Sequence, residues 1–215
     1  MAGDAFSDLR IDYGDDALRR ADLPADPVDL FARWLDLARD AGVREPNAMS
    51  LATCDAQDQP HCRMVLLKQL DTNGFGFFTN KQSGKGEQLR ANARAAATFW
   101  WVAPRARQVH IEGVIAELPE ADSLAYFLSR PRNAQICSAA SPQSRVVADR
   151  AELEAMVDAF AKEVGDLAVP KPQHWGGYAL LPSVMEFWQG REARLHDCFR
   201  YVRGEAGWQV DRLAP

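Results

Sequence analysis

Short apolar segments separated by turn residues recur through most of this chain, and they constrain its fold more than any other feature. From residue 48 onward the alternation reads AMSLATC, DAQDQP, RMVLLKQL, DTNG and FGFFT. The C-terminal part repeats it in YALL, VMEFWQ, ARLHDCFRYV and GWQVDRL, each bounded by Gly or Pro. Such strands would expose apolar edges unless the sheet closed on itself. The pattern predicts an α+β fold with a closed or partly closed antiparallel barrel of six or seven strands.

Helices are predicted at the periphery of this barrel. Asp26 can cap a helix and Pro27 can occupy its first position, with an apolar stripe that ends at Gly42. Three further helices are predicted at residues 83–92, 120–129 and 149–163. Residues 1–25 are polar and acidic without a clear period. We therefore expect an N-terminal segment at 1–25 and a single domain at 26–215.

Composition excludes several classes of function. The chain has 215 residues, of which 47% are hydrophobic, and this suits one fairly large domain. Its net charge of −5 disfavours nucleic acids and anionic membranes as partners. No signal peptide or membrane-spanning segment is indicated, and the four scattered cysteines fit a reducing cytoplasm. The cysteine and histidine spacings do not match a metal site.

Two stretches contain cationic side chains that could bind an anion. In TNKQSGKGEQL, Lys85 lies at a predicted helix start, although Thr79 and Gly86 break the phosphate-loop pattern. The stretch therefore predicts either a monophosphate site or a plain capped surface helix. In RMVLLKQL, Arg63 and Lys68 lie five apart on one predicted strand and would face opposite sides. They either bind two different anions or extend from the ends of a buried strand.

Two residue pairs carry further candidate chemistry. Tyr126 and Arg130 lie four apart on a predicted helix and share a face, which suits a phosphate clamp or a solvated helix end. Arg194 and His196 lie two apart, so an extended strand would place them on one surface. That pair could equally form the polar face of an edge strand.

Taken together, several segments resemble the pyridoxamine 5′-phosphate oxidase family, whose FMN enzymes make pyridoxal 5′-phosphate. The resemblance runs in order from about residue 10 to the C-terminus. Its segments are RMVLLK, FFTNKQSGKGEQL, RQV, YFLSRPRNAQI, PQSR, HWGGY, EFWQGREARLHDCF and WQVDRLAP. It implies an antiparallel split β-barrel of the FMN-binding type, as a homodimer with two FMN sites at the interface.

The resemblance also implies which residues bind FMN. Arg63 and Lys85 would grip its phosphate, together with Gln143 and Ser144 contributed by the partner chain. The flavin would be lined by one strand and several single residues. These are Met64, Val65, Leu66, Leu67, Lys68, Phe78, Thr79, Gln108 and Trp188.

A second set of residues would bind the substrate. Lys68, Tyr126 and Arg130 would hold the phosphate of a B6 vitamer, and Arg194 with His196 would lie against its pyridine ring as the catalytic pair. Arg10 and Tyr13 match a family segment that closes over the substrate, so residues 1–25 would form an active-site lid. Pyridoxamine or pyridoxine 5′-phosphate would give hydride to flavin, and dioxygen would reoxidise the flavin with release of hydrogen peroxide and, from the amine, of ammonia.

The chain departs from the family pattern at four positions. Gly84 replaces a second phosphate-binding Arg, Ala134 replaces a Ser of the substrate clamp, Cys198 replaces an Arg near the flavin, and Phe78 replaces a frequent Tyr. These departures leave two alternatives open. One is an FMN-dependent oxidase of the same fold with a different substrate, and the other is a non-catalytic vitamer-binding relative.

Overall fold

The computed structural model describes residues 13–71 and 74–215 of the chain. Five helices are found among the described residues: α1 (Pro27–Asp40), α2 (Gly84–Ala91), α3 (Glu120–Ser129), α4 (Arg132–Ala140) and α5 (Arg150–Val164). Nine strands accompany them: β1 (Ala48–Cys54), β2 (Pro60–Leu66), β3 (Gln69–Asp71), β4 (Gly74–Asn80), β5 (Arg94–Trp101), β6 (Arg107–Glu117), β7 (Trp175–Gln189), β8 (Asp197–Gly204) and β9 (Gly207–Leu213). None of these helices is long and apolar enough to cross a membrane.

The strands form one sheet in the order β2-β1-β5-β6-β7-β4-β3, and β8 and β9 continue from β7. The pairs β3–β4, β4–β7, β7–β8 and β8–β9 are antiparallel. The predicted fold class is therefore confirmed: the chain is an α+β protein with an antiparallel split β-barrel and peripheral helices. Among the described residues the sheet has nine strands, which is more than the six or seven expected.

The chain divides into two compact units. One contains the described residues up to 49, with 97–112 and 182–215, and its core includes rings that meet edge to face. There, Phe31 and Phe99 have ring centroids 4.8 Å apart, and Trp34 and Phe187 lie 5.3 Å apart. The other unit contains residues 50–96 and 113–181. A cluster in its core consists of Phe127, Ile136, Val164, Val169 and Trp175.

Helix α1 confirms the prediction made from its capping residues. The Asp26 side chain accepts a hydrogen bond from the Val28 amide at 2.9 Å, and Pro27 occupies the first turn. Such a cap satisfies an amide that would otherwise lack a partner at the helix start. Gly42 follows the helix with φ +75°, a conformation that glycine adopts without steric cost.

Two strand predictions are wrong in ways that move candidate residues. The predicted strand over RMVLLKQL is two strands, since β2 ends at Leu66 and β3 begins at Gln69. Lys68 thus lies between strands, and the expectation that Arg63 and Lys68 face opposite sides of one strand fails. Conversely, YALL and VMEFWQ belong to the single strand β7, which changes partner from β4 to β8 around Pro182. Because proline has no N–H to donate, it is tolerated at this change of partner.

The stretch around Arg194 and His196 is not an extended strand. A short 3-10 turn spans Glu192–Arg194, and Ala193 and Arg194 have φ values of +52° and +60°. Strand β8 begins only at Asp197. The alternation of side chains that would put the pair on one surface therefore does not apply. Helix α4 was also not predicted, because Pro131 was interpreted only as the end of α3.

Candidate functional site

Arg63 and Lys85 lie close enough for the charge of one to act on the other, and each is bound by uncharged oxygen atoms. Arg63 donates from Nη1 to Thr53 Oγ1 at 2.6 Å and from Nη2 to Gln88 Oε1 at 2.7 Å. Lys85 donates from Nζ to Thr79 Oγ1 at 3.0 Å. Strand β2 supplies Arg63, β4 supplies Thr79 and the first turn of α2 supplies Lys85. The fold thus brings together two cations that are far apart in the sequence.

This cationic pair is not neutralised within the described part of the chain. No carboxylate there forms an ion pair with Arg63 or Lys85, whose partners are oxygens of uncharged groups. Burial lowers the pKa of Lys85, and the neighbouring charge of Arg63 lowers it further. Burial is also the main cause that lowers the pKa of Arg63. A bound anion would relieve both effects, so the pair is suited to a phosphate.

A cavity of about 660 Å³ opens beside this pair. Its volume lies in the range of small-molecule and cofactor sites. Eight of the expected FMN residues line it: Met64, Val65, Leu66, Lys68, Phe78, Thr79, Lys85 and Gln143. Its wall also contains Tyr126 and Arg130, so the second group of phosphate-binding candidates faces the same cavity.

Stacked aromatic rings form one wall of this cavity. Phe78 stacks on Tyr126 with centroids 4.2 Å apart and on Trp175 at 5.4 Å. The Arg130 guanidinium lies 5.3 Å from the centre of the Trp175 ring. Gly177 leaves space for this stack, because a Cβ there would come within 2.7 Å of the Phe78 ring. Trp175 was given no role by the sequence, although HWGGY was among the segments that carried the resemblance.

The positions of Gln143 and Ser144 correct one expectation. They were expected from the partner chain, yet Gln143 Oε1 lies 3.2 Å from Thr79 Oγ1 of the same chain. Ser144, at φ +68°, lies beside Gly84, since its Oγ would be 3.8 Å from a Cβ built there. Both residues therefore lie next to their own chain's cationic pair.

A second group of candidate residues is found in the other unit. The His196 ring lies 4.6 Å from Trp188 and 5.7 Å from Tyr13, measured between ring centroids. Its Nδ1 accepts a hydrogen bond from the Arg191 amide at 3.0 Å, which places the proton of the neutral ring on Nε2. Arg194 is exposed on its turn, and Gln108 is half-buried on β6. Arg10 lies outside the described residues.

Asp197 anchors the loop that carries Arg194 and His196. Its side chain is 1% exposed, and its carboxylate accepts a hydrogen bond from the Leu18 amide at 2.9 Å. Arg212 donates to the other oxygen at 2.5 Å. Arg191 Nη1 lies 3.7 Å from the oxygen that accepts from Leu18. One buried carboxylate thus joins the N-terminal segment, the loop and strand β9.

Cys198 is a buried thiol on β8. Burial raises its pKa, and the charge of Glu186 raises it further. The thiol is therefore protonated at neutral pH and has little nucleophilic character. A neutral thiol at position 198 does not supply the positive charge of the Arg that the resemblance implied there.

The comparison with family profiles decides which family this is. A profile described as pyridoxamine 5′-phosphate oxidase matches residues 35–162. A second, described as the pyridoxine 5′-phosphate oxidase C-terminal dimerisation region, matches residues 175–215. The chain belongs to the pyridoxamine 5′-phosphate oxidase family. The second match also indicates that members of this family, this chain included, form homodimers.

Relatives within the pyridoxamine 5′-phosphate oxidase family match along almost the whole chain. Proteins named pyridoxine/pyridoxamine 5′-phosphate oxidase from Pseudomonas paraeruginosa and Salinibacter ruber are each 50% identical to this chain. Each match covers 98% of this chain and 99% of the relative. The chain is thus an oxidoreductase of this family.

Solved structures support the same fold. PhzG from Burkholderia lata, in complex with tetrahydrophenazine-1-carboxylic acid, is 32% identical, with a TM-score of 0.87, and covers 94% of this chain and 100% of its own. A pyridoxamine 5′-phosphate oxidase-related, FMN-binding protein from Nostoc punctiforme is 13% identical, with a TM-score of 0.69. That match covers 93% of this chain and 100% of the Nostoc chain. FMN is the cofactor of the family, and the unneutralised Arg63–Lys85 pair beside the cavity fits its phosphate.

Proposed function

We propose that this protein oxidises pyridoxamine 5′-phosphate or pyridoxine 5′-phosphate to pyridoxal 5′-phosphate with dioxygen, releasing hydrogen peroxide and, from the amine, ammonia. One observation carries the proposal. Two groups of anion-binding side chains meet at a single cavity, because Lys85, which feels the charge of Arg63, lines the same cavity as Lys68, Tyr126 and Arg130. Two groups suit two phosphorylated aromatic molecules, a cofactor and a substrate. The names of the relatives point to the same substrates.

The residues of the cavity would bind FMN and the substrate and would orient the two molecules. Arg63, Lys85 and Thr79 would hold the FMN phosphate, and the chain segment 64–68 would line the flavin. FMN, when bound, supplies the hydride acceptor that is afterwards reoxidised by dioxygen. Lys68, Tyr126 and Arg130 would fix the substrate by its phosphate, so that its position relative to the flavin is set before reaction. Orientation of this kind can supply much of a rate enhancement without a side-chain nucleophile.

The second group of candidate residues, around His196, would act on the ring of the substrate. His196 can donate a hydrogen bond from Nε2, because its Nδ1 is occupied by the Arg191 amide. It would hold a proton at the substrate's amine or oxygen, and Arg194, carried by the same loop, would lie against the pyridine ring. We propose that residues 1–25 form a lid and that 26–215 act as one FMN-binding domain. The packing of Tyr13 on Trp188 and the Leu18–Asp197 hydrogen bond support this lid. The scattered free cysteines support a cytoplasmic location.

The test uses full-length protein loaded with FMN. Pyridoxamine 5′-phosphate and pyridoxine 5′-phosphate are mixed with it in air, and aldehyde and peroxide are followed together. Equal amounts of both products, with no turnover of unphosphorylated pyridoxamine at the same concentration, are expected. Bound FMN without aldehyde from either phosphate would reject the proposal. Turnover of a tetrahydrophenazine carboxylate instead would identify an oxidase with a different substrate, and a protein that cannot be loaded with FMN would be a non-catalytic relative.

Gly84→Arg is expected to tighten FMN binding by roughly tenfold. Gly84 begins α2 beside Lys85, and a Cβ there would meet only Ser144, at 3.8 Å, so a longer side chain can be accommodated. The added guanidinium would give the FMN phosphate a third cation. Titration of the apoprotein with FMN, followed by flavin fluorescence, measures the change.

Gly84→Ala provides the matched control for this substitution. It adds the same Cβ without a charge, and its FMN affinity is expected to stay within about twofold of the wild type. If the Arg variant binds no more tightly than the Ala variant, then the phosphate of FMN does not lie at the start of α2.

A further inference from the structure

Of two cavity-lining positions one turn apart on α4, only the later one carries a hydroxyl group. Ala134 and Ser138 lie four residues apart on this helix, so they share one face, and both line the cavity. Ala134, nearer the start of α4, has no hydroxyl. One turn later, Ser138 Oγ accepts a hydrogen bond from Arg130 Nη1 at 2.6 Å.

This bond restrains the cation that faces the cavity. Arg130 follows α3 with an extended backbone, so its side chain is not held by a helix of its own. Its guanidinium is fixed by Ser138 and by its position 5.3 Å from the Trp175 ring centre. Within residues 13–71 and 74–215, no carboxylate forms an ion pair with Arg130. Its charge is therefore available to an anion in the cavity.

The hydroxyl proton of Ser138 is also available. A serine oxygen can accept one hydrogen bond and still donate its own proton. Across the described residues, the Ser138 O–H has no acceptor, not even the backbone carbonyl one turn earlier that helical serines often use. Because Ser138 lines the cavity beside Arg130, a ligand oxygen that binds to this guanidinium also comes within reach of the O–H.

We propose that Ser138 completes the site for the phosphate monoester of the substrate. Its oxygen fixes the Arg130 guanidinium, and its O–H donates to the same phosphate. The inference rests on the proposed function and assigns the substrate-phosphate hydroxyl of this chain to Ser138 rather than to position 134. It predicts that a hydroxyl group placed one helical turn earlier, at position 134, restores at least half of the binding lost with Ser138.

The experiment compares four FMN-loaded full-length proteins: wild type, Ser138→Ala, Ala134→Ser/Ser138→Ala, and Ser129→Ala. In the control Ser129→Ala, the lost hydroxyl is one that donates to the Tyr126 carbonyl and does not line the cavity. KM and kcat are measured with pyridoxamine 5′-phosphate, together with the FMN dissociation constant. Inorganic phosphate serves as a competitive probe of the anion site alone.

Ser138→Ala is expected to raise KM and the inhibition constant of inorganic phosphate by roughly tenfold each. The expected kcat and FMN affinity stay within about twofold, because the flavin phosphate is held by other residues. The double variant is expected to recover at least half of the loss on a logarithmic scale, and Ser129→Ala to behave as wild type. A purely structural role for Ser138 would not separate KM from kcat in this way.

An unchanged KM and an unchanged phosphate inhibition constant in Ser138→Ala, with FMN bound, would overturn the assignment. So would a double variant that folds and binds FMN but recovers nothing. If Ser138→Ala does not fold, Ser138→Cys is measured in its place, since a thiol is nearly isosteric but a weak donor. If wild type with FMN fails to oxidise the vitamer, the proposed function falls. Calorimetric binding of inorganic phosphate to wild type and Ser138→Ala then still decides the role of Ser138.

Discussion

Replacement of Asp197 by alanine is expected to lower the free energy of unfolding by about 3–5 kcal/mol, the range found when one partner of a buried ion pair is removed. Asp197 is 1% exposed, and its two oxygens are bound by the Leu18 amide and by Arg212. Without the carboxylate, a buried amide would lack its partner and Arg212 would lose its counter-charge. Urea unfolding at one fixed protein concentration and saturating FMN measures the effect, since dimerisation and ligand binding both shift apparent stability.

Asp15→Ala is the matched control for this prediction. Asp15 pairs with Arg191 at 2.5 Å, but its side chain is 82% exposed. An exposed pair of this kind contributes about 0–1 kcal/mol, because water and salt screen it. Similar losses in the two variants would mean that Asp197 does not act as a buried anchor. The larger loss in Asp197→Ala should be accompanied by a lower kcat/KM, since the same carboxylate fixes the loop that carries His196.

The local sequence was sufficient for elements whose ends are marked by capping residues. Asp26, Pro27 and Gly42 define α1 because each residue satisfies a requirement of a helix end that does not depend on the rest of the fold. The helix at 120–129 was predicted with the observed bounds for the same reason, since a proline follows at 131. That proline also begins the next helix, α4, and the sequence does not distinguish the two uses of a proline between helices.

The strand errors have a different cause. Apolar runs indicate that a strand exists, but its limits depend on partners that are distant in the sequence. The break before Lys68 and the continuity of β7 through Pro182 follow from pairing with β4 and β8. The turn at Arg194 could not be predicted from alternation, because it depends on two residues with positive φ that are neither glycine nor asparagine.

The sequence predicted which residues form the site better than it predicted how those residues are arranged. The resemblance named most of the side chains that line the cavity, but it placed Gln143 on the wrong chain relative to Thr79. Ser138 and Trp175 received no role from the sequence. A single serine or tryptophan in a helix or strand carries no signal of its own. Both gain meaning from their contact with Arg130 in the folded chain.

Lys85→Met is expected to weaken FMN binding by about ten- to a hundredfold, the equivalent of one hydrogen bond to a charged group. Met keeps most of the volume of the side chain but removes the cation, which among the described residues is bound only by the hydroxyls of Thr79 and Ser83. Lys162→Met, on the exposed side of α5, is the control, and its FMN affinity is expected to match the wild type. Titration with FMN at neutral pH measures both.

The pH dependence of FMN binding tests the electrostatic reason for this effect. Burial and the charge of Arg63 lower the pKa of Lys85 in the free protein, and a bound phosphate would raise it again. Above the lowered pKa, FMN binding must therefore take up a proton, so wild-type affinity is expected to fall with rising pH by up to about tenfold per pH unit. Lys85→Met should lose this pH dependence, and Lys85→Arg, whose charge persists, should bind tightly across the same range. A pH dependence that survives in Lys85→Met would assign the titration to another group and remove Lys85 from the phosphate site.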